Sequence, residues 1–426
     1  MPSPDASASS TWVPGADGSG FGIENLPYGI VRVGSDAPRP AVRVGDFAVL
    51  LSALADAGHL TGIGIAQEAF HAPTLNLLIK AGADAWQALR ARLVSLLSAG
   101  EAGAADLPER ALVPLADATV ELPVAVGDYV DFYSSLEHAT NVAKIWRPET
   151  ATLEPNWRRL PVGYHGRAAT VVVSGTPIQR PNGQLPPADE GGDSSFGPER
   201  SLDFELELGF ITGDGPPLGS RIRVGDAGRH IFGFVLVNDW SARQIQRWEY
   251  RPLGPFLGKS FATSISPWIV PPAALVGHRV PARPQEPPPL EYLRLDSPSV
   301  LDVSLVAALT PQGGSAETVL SHTNSKFLYW TPEQQLAHAT VNGARARAGD
   351  LWASGTISGA DRGSYGSMLE LSWAGREPIA LAGGESRRFL EDGDTVVLRG
   401  VAQGDGRPLI SFGSVSGQVM PAATTR

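Results

Sequence analysis

The sequence predicts a mainly β protein of the α+β class, with helices concentrated near the N-terminus. Three observations carry this expectation. Short runs rich in β-forming residues, bounded by Gly, Pro, Asn or Asp, recur between residues 171 and 412. Glycine (48) and proline (36) make up about a fifth of the 426 residues, which demands many turns. One stretch, Trp86, Leu89, Leu93, Leu96 and Leu97, repeats its apolar residues at helical spacing.

The first 120 or so residues read as a unit. Extended pieces are expected at Tyr28–Val33 and Ala41–Leu51. A helix should run from about Pro73 to Ala81, stopped by Gly82, and a second from near Asp84 to Gly100. Glu101–Pro108 is small, polar and acidic and reads as a connector. The expected division is 1–122 and 123–426. Strands are then expected at Val171–Val173, Leu202–Ile211, Ile231–Val237, Val300–Leu309, Met368–Trp373, Thr395–Leu398 and Leu409–Phe412. Pro186–Arg200 reads as a loop. So does Pro271–Pro289, whose seven prolines should leave it extended and poorly hydrogen-bonded. Thr331 as N-cap, Pro332 at N1 and Gln334 closing a capping box mark one later helix. No internal repeat is visible.

The net charge of −10 offers no basic stripe for nucleic acid. The absence of cysteine excludes disulfides, thiolate metal sites and a cysteine nucleophile. Met1–Ser10 lacks the pattern of a signal peptide, and no apolar run approaches the ~18 residues of a membrane span. The expectation is a cytoplasmic protein without membrane or nucleic-acid partners.

The segment Leu202–Phe210 is the most informative. Its large apolar residues alternate with Asp203, Glu205 and Glu207, so a strand would place three carboxylates on one face, about 7 Å apart. Two readings stand at this point: a solvated acidic face, or a site for a hard cation such as Ca²⁺, Mg²⁺ or Mn²⁺. Ile231–Trp240 should be a buried strand ending in Asp239, with a helix directly after it. On that helix Arg243, Gln246, Arg247 and Tyr250 share one face, suited to an anionic, oxygen-rich ligand or simply to solvent. Ile245 and Trp248 should point to the core. His138 follows Asp131-Phe132-Tyr133 closely, and a lone histidine is more often structural than catalytic. Glu370, flanked by large apolar residues, is costly to bury without a partner. Zinc-protease, nucleophile-elbow and dinucleotide motifs are missing. Gly254–Ser260 has three residues between its glycines where a phosphate loop needs four, and its proline removes an N–H donor.

In this order, these segments resemble the fumarylacetoacetate hydrolase family. The matching stretches are Asn25–Gly29, Asp128–Ser135 with His138–Val142, Pro155–Trp157 with Leu160–Arg167, Leu202–Leu208 and Asn238–Gln246, then Pro252–Ser266, Leu351–Ser358 and Tyr365–Trp373. Pro161–Arg167 (PVGYHGR) and Gly366–Trp373 (GSMLELSW) are highly specific. The resemblance implies an N-terminal SH3-like barrel with helical additions, a C-terminal mixed β-sandwich roll, and a homodimer. It implies hydrolysis of the carbon–carbon bond of 4-fumarylacetoacetate, a small dianion, to fumarate and acetoacetate, the last step of tyrosine and phenylalanine degradation.

Carried over position by position, the resemblance implies Ca²⁺ ligands at Asp131, Glu205, Glu207 and Asp239. A second, Mg²⁺-type site would use Asp239 with Thr263 and Lys259, the lysine through its backbone carbonyl. His138 would be the general base on water and Glu370 its orienting carboxylate. Arg243, Gln246 and Lys259 would stabilise developing negative charge. Tyr133, Arg147, Tyr164, Gln246, Tyr250 and Thr356 would contact substrate. Asp203 receives no role. Glu137, a departure from the family pattern, would favour a protonated His138 if it pointed inward. The rival readings are an acylpyruvase, decarboxylase or diene isomerase of the same family, or a non-catalytic calcium-binding β-sandwich.

Overall fold

In the computed structural model, residues 10–100, 107–189, 191–314 and 316–424 are described. The connector expected at Glu101–Pro108 and the N-terminal segment Met1–Ser10 fall almost wholly outside these residues.

The N-terminal unit is a five-stranded antiparallel sheet. Its strand order is Leu112–Pro114, Phe47–Leu50, Arg39–Val44, Tyr28–Val33 and Ala118–Glu121. The two edge strands are consecutive in the chain, joined only by the 3₁₀ turn Leu115–Asp117. A flat sheet would hold its edges about 19 Å apart. Four residue steps reach at most about 14 Å. The sheet therefore curls into a half-barrel. The extended piece expected at Ala41–Leu51 is broken by a tight turn in which Gly45 takes φ +55°, and Leu51 already opens the helix Leu51–Asp56. The helix expected from Pro73 is shorter, Asn76–Lys80. The next spans Ala83–Leu97 after Gly82 at φ +89°. It buries Leu89, Leu93, Leu96 and Leu97, as its stripe predicts.

The larger part carries two mixed sheets. The central one runs Gly163–His165, Tyr129–Phe132, Leu351–Ala353, Leu206–Thr212, Ile231–Asn238, Thr263–Ile265, Val171–Val173. Two of its pairings are parallel: Leu351–Ala353 with Tyr129–Phe132, and Thr263–Ile265 with Val171–Val173. The other runs Thr318–Asn324, Ser304–Thr310, Thr395–Ala402, Ile410–Met420, Ile178–Gln179. Phe210, Phe234 and Leu236 of the central sheet share one core with Leu305, Leu398 and Phe412 of the other. The opposite side of the central sheet, with Ile211, Val235, Val237 and Leu351, is continuous with the core of the N-terminal unit. Both faces are thus covered, which is why residues 231–237 of the strand Ile231–Asn238 are an apolar run instead of alternating. No helix among the described residues is long and apolar enough to cross a membrane.

Several local expectations are corrected. Met368–Trp373 is not a strand. Met368–Leu371 is a short helix, because Ser367 caps it by accepting the Glu370 amide, and Trp373 and Ala374 then turn the chain at φ +49° and +57°. Leu202–Ile211 is not one strand. Leu202–Asp203 pairs with Ser241–Ala242, and the long strand starts only at Leu206. Val300–Leu309 divides into Ser299–Leu301 and Ser304–Thr310. Pro186–Arg200 contains a strand, Ser195–Pro198, paired with Asn182–Leu185. Pro271–Pro289 contains a 3₁₀ helix, Pro272–His278, and a strand, Arg279–Pro281. Trp248 is 44% exposed and does not reach the core. The capping box at Thr331–Gln334 forms as expected.

The N-terminal unit is fastened to the central sheet by rings as well as strands. Phe232 packs on Tyr28 at 5.3 Å and on the edge of Trp86 at 5.1 Å between ring centres. Tyr28 also exchanges both backbone hydrogen bonds with Ile269. Phe232→Ala is expected to cost about 3–5 kcal/mol of stability, read as an earlier transition in chemical denaturation followed by circular dichroism.

Candidate active site

One end of the central sheet brings four carboxylates together. Asp131 comes from Tyr129–Phe132, Glu205 and Glu207 from the start of Leu206–Thr212, and Asp239 from the residue after Ile231–Asn238. One oxygen from each lies within 4.8 Å of the others. None of the four residues is more than 4% exposed, so the solvated-face reading falls.

Their partners are unequal. Asp239 accepts from Thr263 Oγ1 at 2.8 Å, Tyr129 OH at 3.2 Å, Lys259 Nζ at 2.6 Å and Tyr164 OH at 3.4 Å. Glu205 accepts from Lys259 Nζ and, at 2.8 Å, from Arg243 Nη1. Glu207 Oε2 accepts the Gly355 amide at 3.0 Å. Glu207 Oε1 and Asp131 Oδ1 are buried with no hydrogen-bond partner. Burial, and then the neighbouring Asp239, pushes the Asp131 carboxyl well up, and burial followed by Asp131 does the same to Glu207. Glu205 goes the other way: burial alone would raise it, but Lys259 and Arg243 hold it well below the usual carboxylate range. Two orphaned carboxylate oxygens in a converging all-oxygen set fit a hard divalent cation, which would relieve both the repulsion and the missing partners.

Beside this cluster stands a histidine–carboxylate pair. Ser135 caps the helix Leu136–Trp146, and His138 sits in its first turn. His138 Nδ1 is 2.7 Å from Glu370 Oε2. Glu370 is fully buried and accepts further bonds from Asn141 Nδ2 (2.9 Å), Ser358 Oγ (2.9 and 3.0 Å) and Ser367 Oγ (2.9 Å). Burial would raise its carboxyl. The His138 ring and these donors outweigh that and hold it below the usual range, so it is ionised. Nδ1–H of His138 then donates to Glu370, and Nε2 is left for the cavity.

Arg243 begins the helix Arg243–Glu249. Its Nε donates to Asp203 Oδ2 at 2.8 Å and its Nη1 to Glu205 and to Gln246 Oε1. Its Nη2 is buried without a partner. Gly258 lets the Lys259 segment lie against this helix: a Cβ there would meet the Gln246 backbone at 2.7 Å.

All of this faces one cavity of about 460 Å³. Of the residues expected at a site, Asp131, Tyr133, His138, Arg147, Tyr164, Glu205, Arg243, Gln246, Tyr250, Lys259 and Thr356 line it. Glu207, Asp239, Thr263 and Glu370 do not line it. They stand behind it: Glu370 bonds His138, Asp239 bonds Lys259, Thr263 bonds Asp239, and Glu207 is grouped with the other carboxylates. Arg147 is held at the wall by an ion pair to Glu154. Glu137 turns away from His138 and pairs with Arg283 at 2.8 Å, so its expected influence on the histidine is lost.

Reading the sequence missed the supporting residues. Asn141 follows His138 by three residues on one helix face, and Ser367-x-x-Glu370 is a capping pattern; both signals are visible in the sequence. Asp203 and Glu199 gave no such signal. Each binds backbone amides distant in sequence: Met368 and Leu369 for Asp203, Gln244 and Ile245 for Glu199.

Residues 129–420 match the family model described as fumarylacetoacetate hydrolase C-terminal, and residues 24–123 match the one described as fumarylacetoacetase N-terminal. The chain belongs to the fumarylacetoacetate hydrolase family. Among its relatives, the fumarylacetoacetases of Bos taurus and Homo sapiens are each 49% identical over 419 residues, covering 97% of this chain and 99% of theirs. The fumarylacetoacetase of Caenorhabditis elegans is 48% identical over 410 residues, covering 95% of this chain and 97% of its own. The family fold is also seen in the solved fumarylacetoacetate hydrolase of Exiguobacterium antarcticum. That structure has a TM-score of 0.52 and 16% identity, over 93% of this chain and 99% of the other.

Gly355 joins the cavity wall to the carboxylates. It sits at φ +79°, and a Cβ there would lie 2.2 Å from the Phe132 carbonyl oxygen. Gly355→Ala is expected to destabilise the protein by more than about 1 kcal/mol, measured by denaturant titration.

Proposed function

We propose that the chain hydrolyses the carbon–carbon bond of 4-fumarylacetoacetate to fumarate and acetoacetate. One observation carries the reading: the His138–Glu370 pair and the four-carboxylate cluster meet at the same cavity. The relatives at 48–49% identity support the choice of substrate.

In this reading His138 Nε2 takes a proton from water, and the resulting hydroxide adds to the substrate carbonyl. Glu370 holds the ring by Nδ1 and stabilises the imidazolium, a contribution of about 10²–10⁴-fold for the acid–base pair. Arg243, through its unpartnered Nη2, faces the negative charge on the tetrahedral oxygen together with Gln246 and Lys259. The carbon–carbon bond then breaks, its electron pair passes to the acetoacetate fragment as an enolate, and His138 returns the proton to carbon. Tyr133, Arg147, Tyr164, Tyr250 and Thr356 contact the substrate.

Asp131, Glu205, Glu207 and Asp239 would hold Ca²⁺, and Asp239 with Lys259 and Thr263 would serve a Mg²⁺-type site. The cation, when bound, supplies positive charge that spreads the enolate charge over the β-diketone oxygens. The division into 1–122 and 123–426, the SH3-like barrel, the β-sandwich roll, the homodimer and the cytoplasmic setting belong to the same proposal. They rest on the family resemblance, and the curled N-terminal sheet agrees with the barrel.

The test is an assay of fumarylacetoacetate consumption by purified protein. His138→Ala is expected to lower kcat by about 10²–10⁴-fold, and wild-type turnover in that variant would remove the assigned base. Complete removal of metal is expected to abolish turnover and lower the melting temperature, since four mutually repelling carboxylates lose their counter-charge. Ca²⁺ or Mg²⁺ should restore both. Full activity in the metal-free protein would remove the role given to the cation.

A further inference from the structure

Asp203 lies at the kink between Leu202–Asp203 and Leu206–Thr212, fully buried and outside the cavity lining. Its Oδ1 accepts the Met368 amide at 2.7 Å, and its Oδ2 accepts the Leu369 amide at 2.9 Å and Arg243 Nε at 2.8 Å. The two amides open the short helix that carries Glu370. One carboxylate therefore grips both the guanidinium beside the cavity and the element that orients His138.

We infer that Asp203 is a positioning residue that sets Arg243 in register with the His138–Glu370 pair for the reaction proposed above, on which this inference rests. The geometry of the guanidinium gives the reason. Nε is held by Asp203 and Nη1 by Glu205, so the planar group cannot turn and Nη2 stays free. Without the Asp203 carboxylate, Arg243 can rotate to a two-point fork on Glu205 through Nη1 and Nη2. That fork uses up the nitrogen needed for the transition state and draws charge from a carboxylate of the acidic cluster. The Met368 and Leu369 amides also lose their acceptor, which loosens the seat of Glu370.

Asp203→Asn keeps the volume but replaces one acceptor oxygen by a donor, which must face either an amide or the guanidinium. The expected result is a fall in kcat of about 10²-fold, with KM moving far less. In an Arg243→Gln background the same change should cost less, because the guanidinium it positions is gone and only the seat of Glu370 is left to loosen. A purely structural Asp203 would lower the melting temperature and give the same factor in both backgrounds. Should Asp203→Asn not fold, Asp203→Glu, which keeps the charge but shifts the carboxylate, is measured in the same cycle with the same expectation. Wild-type kcat in the folded variant, a loss confined to KM, or equal losses in both backgrounds would each overturn the assignment. Absence of fumarylacetoacetate turnover in the wild-type protein would instead overturn the reaction reading, and this inference with it.

Discussion

Five carboxylates, Asp131, Asp203, Glu205, Glu207 and Asp239, are packed at one end of the central sheet, none more than 4% exposed. Among the described residues, Arg243 and Lys259 are the cations that form ion pairs with them. Burial works against both cations, yet the carboxylates outweigh it and hold each firmly protonated. The two are spent on Asp203, Glu205 and Asp239. Asp131 and Glu207 form an ion pair with neither and feel Lys259 only at a distance, and these are the two acids whose carboxyls are pushed well up. The charge imbalance is therefore local, and it points to the place where a divalent cation has most to offer.

The remainder of the fold holds that imbalance in place. A sheet covered on both faces keeps the strand ends rigid and dry, so the carboxylates cannot escape to solvent. The N-terminal unit supplies one of the two covers, Tyr28 and Trp86 packing on Phe232, and none of its described residues lines the cavity. Its contribution to the site is mechanical. The short helix Met368–Leu371 is gripped at its start by Ser367 and Asp203 and at its end by Arg362, whose guanidinium donates to the Leu371 carbonyl. Glu370 is thus fixed from both ends before it fixes His138.

Much of this was legible in the sequence, for reasons that differ by element. Ile231–Val237 could be read because burial on both faces leaves an unbroken apolar run, and Ala83–Leu97 because burial on one face leaves a stripe. The carboxylate cluster was half legible. Alternation in Leu202–Phe210 grouped Glu205 with Glu207, but only the resemblance joined Asp131 and Asp239 to them, because strand pairing and not spacing brings these residues together. Met368–Trp373 misled because Leu369, Leu371 and Trp373 alternate as in a strand, while the serine cap and the distant Asp203 decide for a helix. A long-range hydrogen bond to a backbone amide leaves no periodic trace.

The net charge of −10 and a dianionic substrate are opposed only if charge is averaged over the surface. At the cavity the signs are layered. The acids Glu207 and Asp239 lie behind the lining, Asp131 and Glu205 stand at it beside Arg243 and Lys259, and Arg147 sits at the wall with Glu154 as its partner. In the reaction proposed above, a substrate carboxylate that reaches Arg147 would compete with Glu154, an exposed side chain whose hold is weakened by solvent. Arg243 differs, because its partners are buried and cannot be displaced by an anion from solution. Its unpartnered Nη2 is the part of it left for the reacting oxygens. In the reaction proposed above, Arg147 at the wall would admit the substrate, and the locked Arg243 and Lys259 would favour charge that appears only as the bond breaks.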